Sequence, residues 1–599
     1  RLQQELVLGL GGVKALELLK IEPKIYHINE GHSVFLSIAR LQKLMTENSL
    51  TFTEAKALVR ASTVFTTHTP VIAGNENFKT EMVEKYLEPE IEKLGLTFKE
   101  FAKQGFIGSN KDTFWLPALA INFSKYINGV SKLHGEVSRK MWQSLFPERP
   151  VIEVPVDHVT NGVHNSWLSE PMITLLKRYI GPDYVHCNGS EQHWKKLEDM
   201  PDEDLWEAHH KNKHNLIAFI RRKLGDDLSA RGYTQSKIVK LSRLFNPEYL
   251  TIVFARRFAR YKRATLILED KQRLKNILTD TRKPVQLIFA GKAHPADTLG
   301  KHMIKEVIDF IKYNHLEDRV IFLENYDINV ARHLVWGADV WLNTPIREQE
   351  ASGTSGMKAA INGVLNLSVL DGWWPEAYNG KNGWAITAGE FYKQSDIKEK
   401  AEADQIYDLI EQEISELFYD RNETGVPEKW VSMMKESVFS VCHNFNMNRV
   451  VTNYCEKFYL PAKNGYDDLC RNDFQQLKEA SAKENDLLKY WDAIELIDLS
   501  TNVDDKDFLT EGDRLEVTCT VNLDKSPTDL VCAELFYMLP GDESFRIVPM
   551  QFQDRKGALA HYQCSFDIKQ CGLQNINVRV KPADTILQDL HPEMIKWKK

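Results

Sequence analysis

Apolar residues in the middle of the chain form short continuous runs, separated by segments with the spacing of amphipathic helices. Runs of this kind occur at 251–254, 285–290, 320–323 and 340–342. They are typical of strands buried on both faces of a parallel sheet, and the alternation of such strands with helices favours a doubly wound arrangement. The pattern predicts an α/β domain over residues 159–465, closed by a helical stretch from about residue 401 to 419 and beyond.

The first part of the chain alternates in the same way, whereas the last part does not. Residues 1–158 mix helix-like and strand-like segments, as the remainder of an N-terminal α/β domain would. After about residue 466 a polar helix-like linker gives way to alternating apolar and polar positions at 514–521, 531–537 and 574–580. We therefore expect an α/β protein with two doubly wound, Rossmann-like domains facing a central crevice, the first one truncated. Residues 466–599 are expected to form a helical linker and a small β-sandwich-like appendage.

Length and composition exclude several classes of protein. With 599 residues the chain is too long for one core. A net charge of −8 argues against a nucleic-acid or anionic-membrane partner, and no apolar run approaches the roughly 20 residues of a membrane span. The eight cysteines contain no CxxC pair, so free thiols in a cytoplasmic enzyme are the expected setting.

The segment 350–358 reads Glu-Ala-Ser-Gly-Thr-Ser-Gly-Met-Lys and concentrates several kinds of chemistry. Its glycines allow the backbone to approach an anion closely, its hydroxyls can donate hydrogen bonds to that anion, and its lysine supplies a nucleophilic amine or a counter-charge. A helical pattern follows, so we expect the turn to open a helix and to suit a sugar beside a phosphate. Taken alone, a plain tight turn is an equally good explanation. The residues concerned are Glu350, Ser352, Gly353, Thr354, Ser355, Gly356 and Lys358.

A cationic segment lies at 256–263, which reads Arg-Arg-Phe-Ala-Arg-Tyr-Lys-Arg after the predicted strand at 251–254. Five cations in eight residues are costly to crowd together unless they share an anion. The commoner explanation of such a run is a solvated basic helix start. Nucleic acid is a weak alternative, because aromatic residues are sparse here and the whole chain is acidic.

Smaller clusters follow other strand-like segments. His27, Glu30 and His32 suggest a metal site, but zinc needs further ligands at a recognisable spacing and none is evident, so no metal is expected. His68 lies in Thr-Thr-His-Thr-Pro, and Asn161 lies in Thr-Asn-Gly-Val. Each would be structural in isolation, but ligands collect at the carboxyl ends of parallel strands, so the set together predicts one active-site crevice.

These motifs, in this order, resemble those of the α-glucan (glycogen, starch, maltodextrin) phosphorylases. Residues 350–358 resemble that family's pyridoxal-phosphate segment, Glu-Ala-Ser-Gly-Thr-x-x-Met-Lys. Residues 323–326, Leu-Glu-Asn-Tyr, are similar to the segment whose tyrosine lies against the cofactor. The common animal and plant form has Gly-Asn before Met-Lys, whereas Ser355 and Gly356 stand here, as in the shorter bacterial and archaeal branch.

The resemblance implies roles for individual residues. The cofactor, pyridoxal 5′-phosphate, would be held covalently by Lys358 and contacted by Thr354, Ser355, Arg256 and Tyr326. Inorganic phosphate would be bound by Arg257 and Lys262, which with His68 form the expected catalytic set. Glucose would be bound by Glu350, Ser352, Gly353, Asn161 and His32, with His68 also contacting the glucosyl unit.

The resemblance implies a fold of the glycosyltransferase-B type. The implied activity is retaining phosphorolysis of α-1,4-glucan, with glucan and inorganic phosphate as partners and a homo-oligomer left open. A sugar-nucleotide-dependent glucan synthase-like transferase is one alternative, although it lacks the Ser-Gly-Thr-x-x-Met-Lys run. A catalytically incomplete glucan-binding protein is another. The chain opens on Arg1 with helical periodicity and has no match for the family's glycine-rich phosphate loop. We therefore expect the N-terminal part to be missing and the chain alone to be weakly active or inactive.

Overall fold

The computed structural model describes residues 1–186, 191–241, 244–503, 510–538, 545–568 and 575–598. Contacts between Cα atoms group the chain into two units. Unit 1 contains Arg1–Asn128, Gly135–Asp157 and Cys455–Lys599, and unit 2 contains Gly129–His134 and His158–Tyr454. Among the described helices, none has both the length and the apolar character that crossing a membrane requires.

The N-terminal part of unit 1 is built on a sheet of order β1-β2-β5-β6, in which β1, β2 and β5 run parallel. Strands β3 and β4 pair antiparallel in a separate ribbon. All four residues of β2 are buried, which explains their wholly apolar or small polar character. The strands are β1 (Tyr26–Asn29), β2 (Thr63–Thr66), β3 (Asn77–Lys79), β4 (Thr113–Trp115), β5 (Tyr126–Gly129) and β6 (Val156–His158).

Helices alternate with these strands, as the sequence predicts for an α/β domain. The start of one helix is fixed by a reciprocal cap, because Thr51 Oγ1 accepts from the Glu54 amide and the Glu54 carboxylate accepts from the Thr51 amide at 2.8 Å. The helices of this part are α1 (Leu2–Leu6), α2 (Gly12–Leu18), α3 (Leu36–Asn48), α4 (Phe52–Ala61), α5 (Thr80–Glu92), α6 (Phe98–Ala102), α7 (Leu116–Asn122) and α8 (Lys132–Met141).

Unit 2 contains a parallel sheet of order β12-β11-β10-β7-β8-β9. Every residue of its central strands is buried, which accounts for their continuous apolar runs and confirms the predicted parallel α/β sheet. The strands are β7 (Leu250–Ala255), β8 (Val285–Ala290), β9 (Val320–Leu323), β10 (Val340–Asn343), β11 (Leu365–Val369) and β12 (Gly383–Ile386).

The helices of unit 2 bury their apolar faces against this sheet and against one another. Aspartates cap the helices after β7, β8 and β9: Asp270, Asp297 and Asp327 each accept a hydrogen bond from an amide of the first turn. The helices are α9 (Glu170–Tyr179), α10 (Glu191–Trp194), α11 (Asp202–Ala230), α12 (Gln235–Leu241), α13 (Lys271–Thr279), α14 (Thr298–Asn314), α15 (Ile328–Gly337), α16 (Ser355–Ala360), α17 (Trp374–Ala377), α18 (Ser395–Leu409), α19 (Ser415–Tyr419), α20 (Glu428–Asn444) and α21 (Met447–Tyr454).

The C-terminal part of unit 1 consists of a long kinked helix followed by two antiparallel sheets, of order β13-β14-β18-β17 and β16-β15-β19-β20. Their apolar faces share one core, in which the rings of Tyr537 and Phe566 stack with centroids 4.4 Å apart. The predicted antiparallel region is confirmed, while the division at residues 158 and 465 into three domains stays a prediction. The elements are α22 (Leu460–Tyr490), β13 (Glu495–Thr501), β14 (Arg514–Asn522), β15 (Val531–Met538), β16 (Arg546–Pro549), β17 (Gln551–Lys556), β18 (Leu559–Asp567), β19 (Asn575–Pro582), α23 (Thr585–Leu590) and β20 (Lys596–Trp597).

Candidate active site

The predicted cofactor and phosphate residues of unit 2 lie just beyond the carboxyl ends of its parallel strands. Arg256 follows β7 directly, and its amide donates to the Ala290 carbonyl at the end of β8. The next residue after β8, Gly291, has a φ of +149°, and a Cβ there would lie 1.9 Å from the Arg256 carbonyl oxygen. Only glycine fits this approach of two strand ends, which holds Arg256 at the edge where α/β proteins bind ligands.

Three charged side chains form a buried cluster at this edge. Arg256 Nη2 and Lys262 Nζ each lie 2.6 Å from Glu350 Oε2, and Arg256 also donates to Asn343 Oδ1. Burial and the charge of Arg256 lower the pKa of Lys262 to about 8. Although burial opposes the shift, Arg256 and Lys262 hold the pKa of Glu350 below its usual range. Two cations against one carboxylate leave this group, which we call the cation cluster, with an excess positive charge.

The rest of the cationic segment divides between buried and exposed side chains. Arg263 is buried and pairs with Glu402 at 2.5 Å, while Arg257 and Arg260 are exposed. The sequence predicts that the five crowded cations share an anion. In the structure, the carboxylates of Glu350 and Glu402 neutralise part of this positive charge. Arg257 fits the alternative explanation, a solvated basic segment. It nevertheless lies close enough to Tyr261 to lower the pKa of the tyrosine hydroxyl, against the larger effect of burial, which raises it.

The glycine-rich segment opens a helix, as the sequence predicts, since α16 begins at Ser355 with Thr354 as its N-terminal neighbour. Gly353 has a φ of +74°, and a Cβ there would lie 3.5 Å from Arg256 Nη2, so the turn passes beside the cation cluster. Ser355 Oγ accepts from Trp341 Nε1 at 3.3 Å. Among the described residues Ser352 Oγ is buried with no hydrogen-bond partner, and such an orphaned hydroxyl is suited to a ligand.

Lys358 lies on α16 with its amine over the ring of Trp167, 4.0 Å from the ring centroid. The backbone at Trp167 is held in place because its carbonyl accepts from Trp336 Nε1 at 2.8 Å and from Asn362 Nδ2 at 3.0 Å. Burial lowers the pKa of the Lys358 amine, and no carboxylate among the described residues counters that shift. A half-buried amine of lowered pKa is a better nucleophile at neutral pH than a solvated lysine. Trp167 was not predicted from the sequence.

Asp371 is the second residue that sequence reasoning missed. Its buried carboxylate follows β11 and accepts from the amides of Glu348 at 3.0 Å, Glu350 at 2.9 Å and Gly372 at 2.8 Å. Burial raises its pKa to about 6 against these hydrogen bonds. Glu348 has a φ of +69°, which costs a non-glycine residue about 1–2 kcal/mol. Asp371 therefore holds the strained loop in the conformation that positions Glu350. The sequence feature that could have identified Asp371 is its position just after a buried strand.

Asn161 is connected to the same loop through a short segment of unit 2. Its amide donates to the Val130 carbonyl at 3.0 Å, and the neighbouring Ser131 Oγ donates to the Ala351 carbonyl at 2.6 Å. Arg449 donates to the Asn161 carbonyl at 3.1 Å. These bonds fix the backbone at Asn161, and they involve none of its side-chain atoms.

Tyr326, the predicted cofactor contact, follows β9 after Asn325, whose φ is +54°. The ring is half-buried, and burial raises the pKa of its hydroxyl against the nearby charge of Arg256. Tyr326 is thus on the same strand-end edge as the cation cluster.

The two remaining predicted residues, His68 and His32, lie in unit 1. His68 follows β2, and its Nε2 is 2.9 Å from Asn29 Oδ1 at the end of β1. His32 contacts Glu5 at 3.2 Å rather than His68. The ring nitrogens of His27 contact the hydroxyls of Tyr459 and Thr66, both at 2.7 Å. Both nitrogens therefore have hydrogen-bond partners within the protein.

A parallel α/β sheet whose strand ends carry buried cations, an orphaned hydroxyl and a desolvated lysine is suited to an anionic ligand at that edge. The chain matches the carbohydrate phosphorylase family over residues 15–379 and the glycogen phosphorylase C-terminal domain over residues 491–599. The chain belongs to the carbohydrate phosphorylase family, which confirms the resemblance stated from the motifs and the expected glycosyltransferase-B type of fold.

Individual relatives agree with this assignment. The chain is 40% identical to the maltodextrin phosphorylase of Thermococcus litoralis over 541 residues, covering 90% of this chain and 62% of that protein. It is 41% identical to the glycogen phosphorylase of Aquifex aeolicus over 464 residues, covering 77% and 66%. It is 37% identical to the glycogen phosphorylase of Mycobacterium tuberculosis H37Rv over 538 residues, covering 87% and 61%. The chain thus spans less than two thirds of the length of these relatives.

Proposed function

We propose that this protein is a retaining α-1,4-glucan phosphorylase, which releases glucose 1-phosphate from the non-reducing ends of glycogen or maltodextrin. The observation that carries the proposal is the cation cluster beside the glycine turn that leads into α16 and Lys358. The cluster offers positive charge in a buried place, where it acts on an anion more strongly than in water. The relatives named glycogen and maltodextrin phosphorylase support the same substrate class.

The residues present fit the cofactor that we propose, pyridoxal 5′-phosphate. Lys358 would hold it covalently through its desolvated amine, while Thr354 and Ser355 at the start of α16 and the Arg256 guanidinium would bind its phosphate. Tyr326 would lie against it. When bound, the cofactor would supply a phosphate group that exchanges a proton with the substrate phosphate. The orphaned Ser352 hydroxyl supports a ligand beside this turn.

Inorganic phosphate would be held by Lys262 and Arg257. Lys262 is paired with Glu350 in the structure, and its lowered pKa of about 8 leaves it mostly protonated at neutral pH and able to bind a dianion. Arg257 is exposed, so it can turn toward an incoming phosphate without breaking a buried ion pair. Together they would orient the phosphate that protonates the glycosidic oxygen and then captures the glucosyl group.

The glucosyl unit would be bound by polar groups of the glycine turn and of Asn161. Glu350, Ser352 and Gly353 lie on the loop that Asp371 holds, so their positions depend on that carboxylate. In unit 1, we propose that His68 and His32 contact substrate, as the family resemblance implies. No pair of carboxylates at glycosidase spacing is required by this reaction.

The partners we propose are α-1,4-glucan and inorganic phosphate, in a cytoplasmic protein without a nucleic-acid or membrane partner; assembly into a homo-oligomer is left open. A glucan synthase-like transferase would use the same strand-end edge with a sugar nucleotide. It would have no need of a desolvated lysine after the glycine turn, which is why the phosphorolytic reaction is favoured.

The proposal is tested by incubating the chain at high concentration with a maltodextrin, phosphate and pyridoxal phosphate. We expect slow release of glucose 1-phosphate that depends on phosphate and is lost in Lys358→Met and in Lys262→Met. The matched control, Lys211→Met, changes an exposed lysine of α11 and should release product at the rate of the unchanged chain. Glucosyl transfer from a sugar nucleotide, with none from phosphate, would favour the synthase instead. Cofactor binding at Lys358, measured without turnover, separates a wrong assignment from a merely slow enzyme.

A further inference from the structure

Two histidines one turn apart on α11 meet a glutamate from the turn that leads into β7. His210 Nε2 lies 2.9 Å from Glu248 Oε1, and His214 Nε2 lies 3.7 Å from the same oxygen. The two imidazole rings are 4.6 Å apart between centroids. Residues at i and i+4 share one face of a helix, so both imidazoles point at the same carboxylate. All three residues belong to unit 2 and are distant in sequence from the cofactor segment.

These distances suit a metal ion better than they suit a hydrogen-bonded pair. Around a tetrahedral ion with bonds of about 2.0–2.1 Å, neighbouring ligand atoms are about 3.3 Å apart. The two measured nitrogen–oxygen separations bracket that value, and the three ligand atoms all lie within 4.8 Å of one another. A histidine–carboxylate hydrogen bond explains His210 alone, since His214 is too far from Glu248 Oε1 for a normal hydrogen bond.

The donor atoms and the accessibility of the cluster are also suitable. A histidine binds metal through an imidazole nitrogen, and the Nε2 atoms of both histidines face the same Glu248 oxygen. His214 and Glu248 are exposed, so an ion can enter from solvent and keep a water molecule as a further ligand. Two imidazoles with one carboxylate are a donor set that borderline divalent ions such as Zn²⁺ prefer over Mg²⁺ or Ca²⁺.

We propose that His210, His214 and Glu248 form a binding site for a borderline divalent metal ion, with Zn²⁺ as the ion of choice and water completing its coordination. The sequence predicts no metal site, because the His27–His32 segment lacks further zinc ligands at a recognisable spacing. The new site was hidden because its carboxylate follows 34 residues after the second histidine, at a spacing that no short motif describes.

A second set of comparable residues carries no such proposal. Glu5, His32 and Glu76 also converge among the described residues. Arg1, however, lies among them, with Nε 3.1 Å from Glu5 and 3.3 Å from Glu76 and with Nη2 3.2 Å from His32 Nδ1. A guanidinium already supplies the cation there, whereas the lysine nearest to the proposed site, Lys213, is paired with the buried Asp339.

The site would fasten the outer face of α11 to the turn before β7. The inner face is already fixed, since His209 and Lys213 of the same helix contact the buried Asp339 at 2.8 and 2.5 Å. A bound ion would add a second attachment close to β7, the strand that Arg256 follows. The role we assign to it is therefore structural, outside the reacting groups.

Titration of the full chain with ZnCl₂ in phosphate-free buffer, followed by isothermal calorimetry, tests the proposal. We expect one strong site whose dissociation constant rises at least about tenfold in His214→Ala and in Glu248→Gln. The control His302→Ala removes an exposed histidine of α14 and should leave that dissociation constant unchanged. Far-UV circular dichroism confirms that each variant is folded, and Glu248→Gln retains both histidines.

Two results would overturn the proposal. One is Zn²⁺ binding by His214→Ala and Glu248→Gln at the affinity of the unchanged chain. The other is equal weakening in all three variants, which would place the ion elsewhere. Co²⁺ gives an independent readout, because visible absorption bands of a four-coordinate ion should appear with the unchanged chain and be lost with Glu248→Gln.

Discussion

Replacement of Asp371 by asparagine tests whether this carboxylate shapes the loop that carries Glu350. Asparagine has the same size but only one acceptor oxygen. If that oxygen keeps the bonds to the Glu348 and Gly372 amides, the side-chain NH₂ faces the Glu350 amide and that hydrogen bond is lost. In the other orientation two bonds are lost. The loop should therefore open more easily in either case.

The size of the effect follows from the kind of bond removed. A hydrogen bond to a charged group contributes about 1.5–3 kcal/mol, which corresponds to roughly 10-fold to 150-fold in an opening equilibrium. Hydrogen–deuterium exchange of the peptide spanning residues 346–353 should show the Glu350 amide exchanging faster by that factor. The control Asp396→Asn changes an exposed aspartate at the start of α18 and should leave the exchange rate unaltered. An unaltered Glu350 rate in Asp371→Asn would refute the positioning role.

The same variant tests how Asp371 makes the free energy of unfolding depend on pH. Burial raises the pKa of Asp371 in the folded protein to about 6, above the unfolded value of about 3.9. The native state therefore holds the proton more tightly, so this group lowers stability as pH rises from about 4 to above 6. Between pH 5 and pH 7.5 the free energy of unfolding of the unchanged chain should fall by about 1.4 kcal/mol relative to Asp371→Asn. Urea denaturation at the two pH values measures this difference, and a rise instead of a fall would contradict the assignment.

Two further variants test other buried charges by urea denaturation. Lys213→Met leaves Asp339 buried without its lysine and should lower the free energy of unfolding by about 3–5 kcal/mol. The control Lys211→Met, on the exposed face of the same helix, should change it by less than about 0.5 kcal/mol. Equal effects of the two variants would refute the role of the buried pair. Burial would lower the pKa of His591, but the hydrogen bond to Glu484 helps raise it to about 9. The protein should therefore be more stable than His591→Gln below about pH 6.5. This advantage, about 3 kcal/mol in the free energy of unfolding, should be lost as pH rises through 9. A difference independent of pH would show that His591 is not charged in the folded protein.

Much of the fold of unit 2 could be predicted because its strands are buried on both faces. The continuous apolar runs at Val285–Ala290 and Val320–Leu323 coincide with β8 and β9, and the glycine turn before α16 follows from local residue chemistry. Such signals are contained in a few adjacent residues. They predict the structure correctly because the tertiary contacts favour the same strands and turn as the local sequence.

The parts of the site that escaped prediction depend on contacts between distant residues. Glu350 pairs with Arg256 across 94 positions, and Asp371 binds the Glu350 amide across 21 positions. The placement of Trp167 under Lys358 joins two segments that share no motif. A sequence pattern identifies which residue types are present, whereas these pairings are fixed by how the strands and helices pack.

The chemistry at Lys358 is tested by borohydride reduction of the protein after incubation with pyridoxal phosphate, followed by peptide mass spectrometry across residues 350–358. We predict a phosphopyridoxyl adduct on Lys358 that is absent in Lys358→Met. Unmodified Lys358, or an adduct confined to other lysines, would contradict it and favour a sugar-nucleotide-dependent transferase.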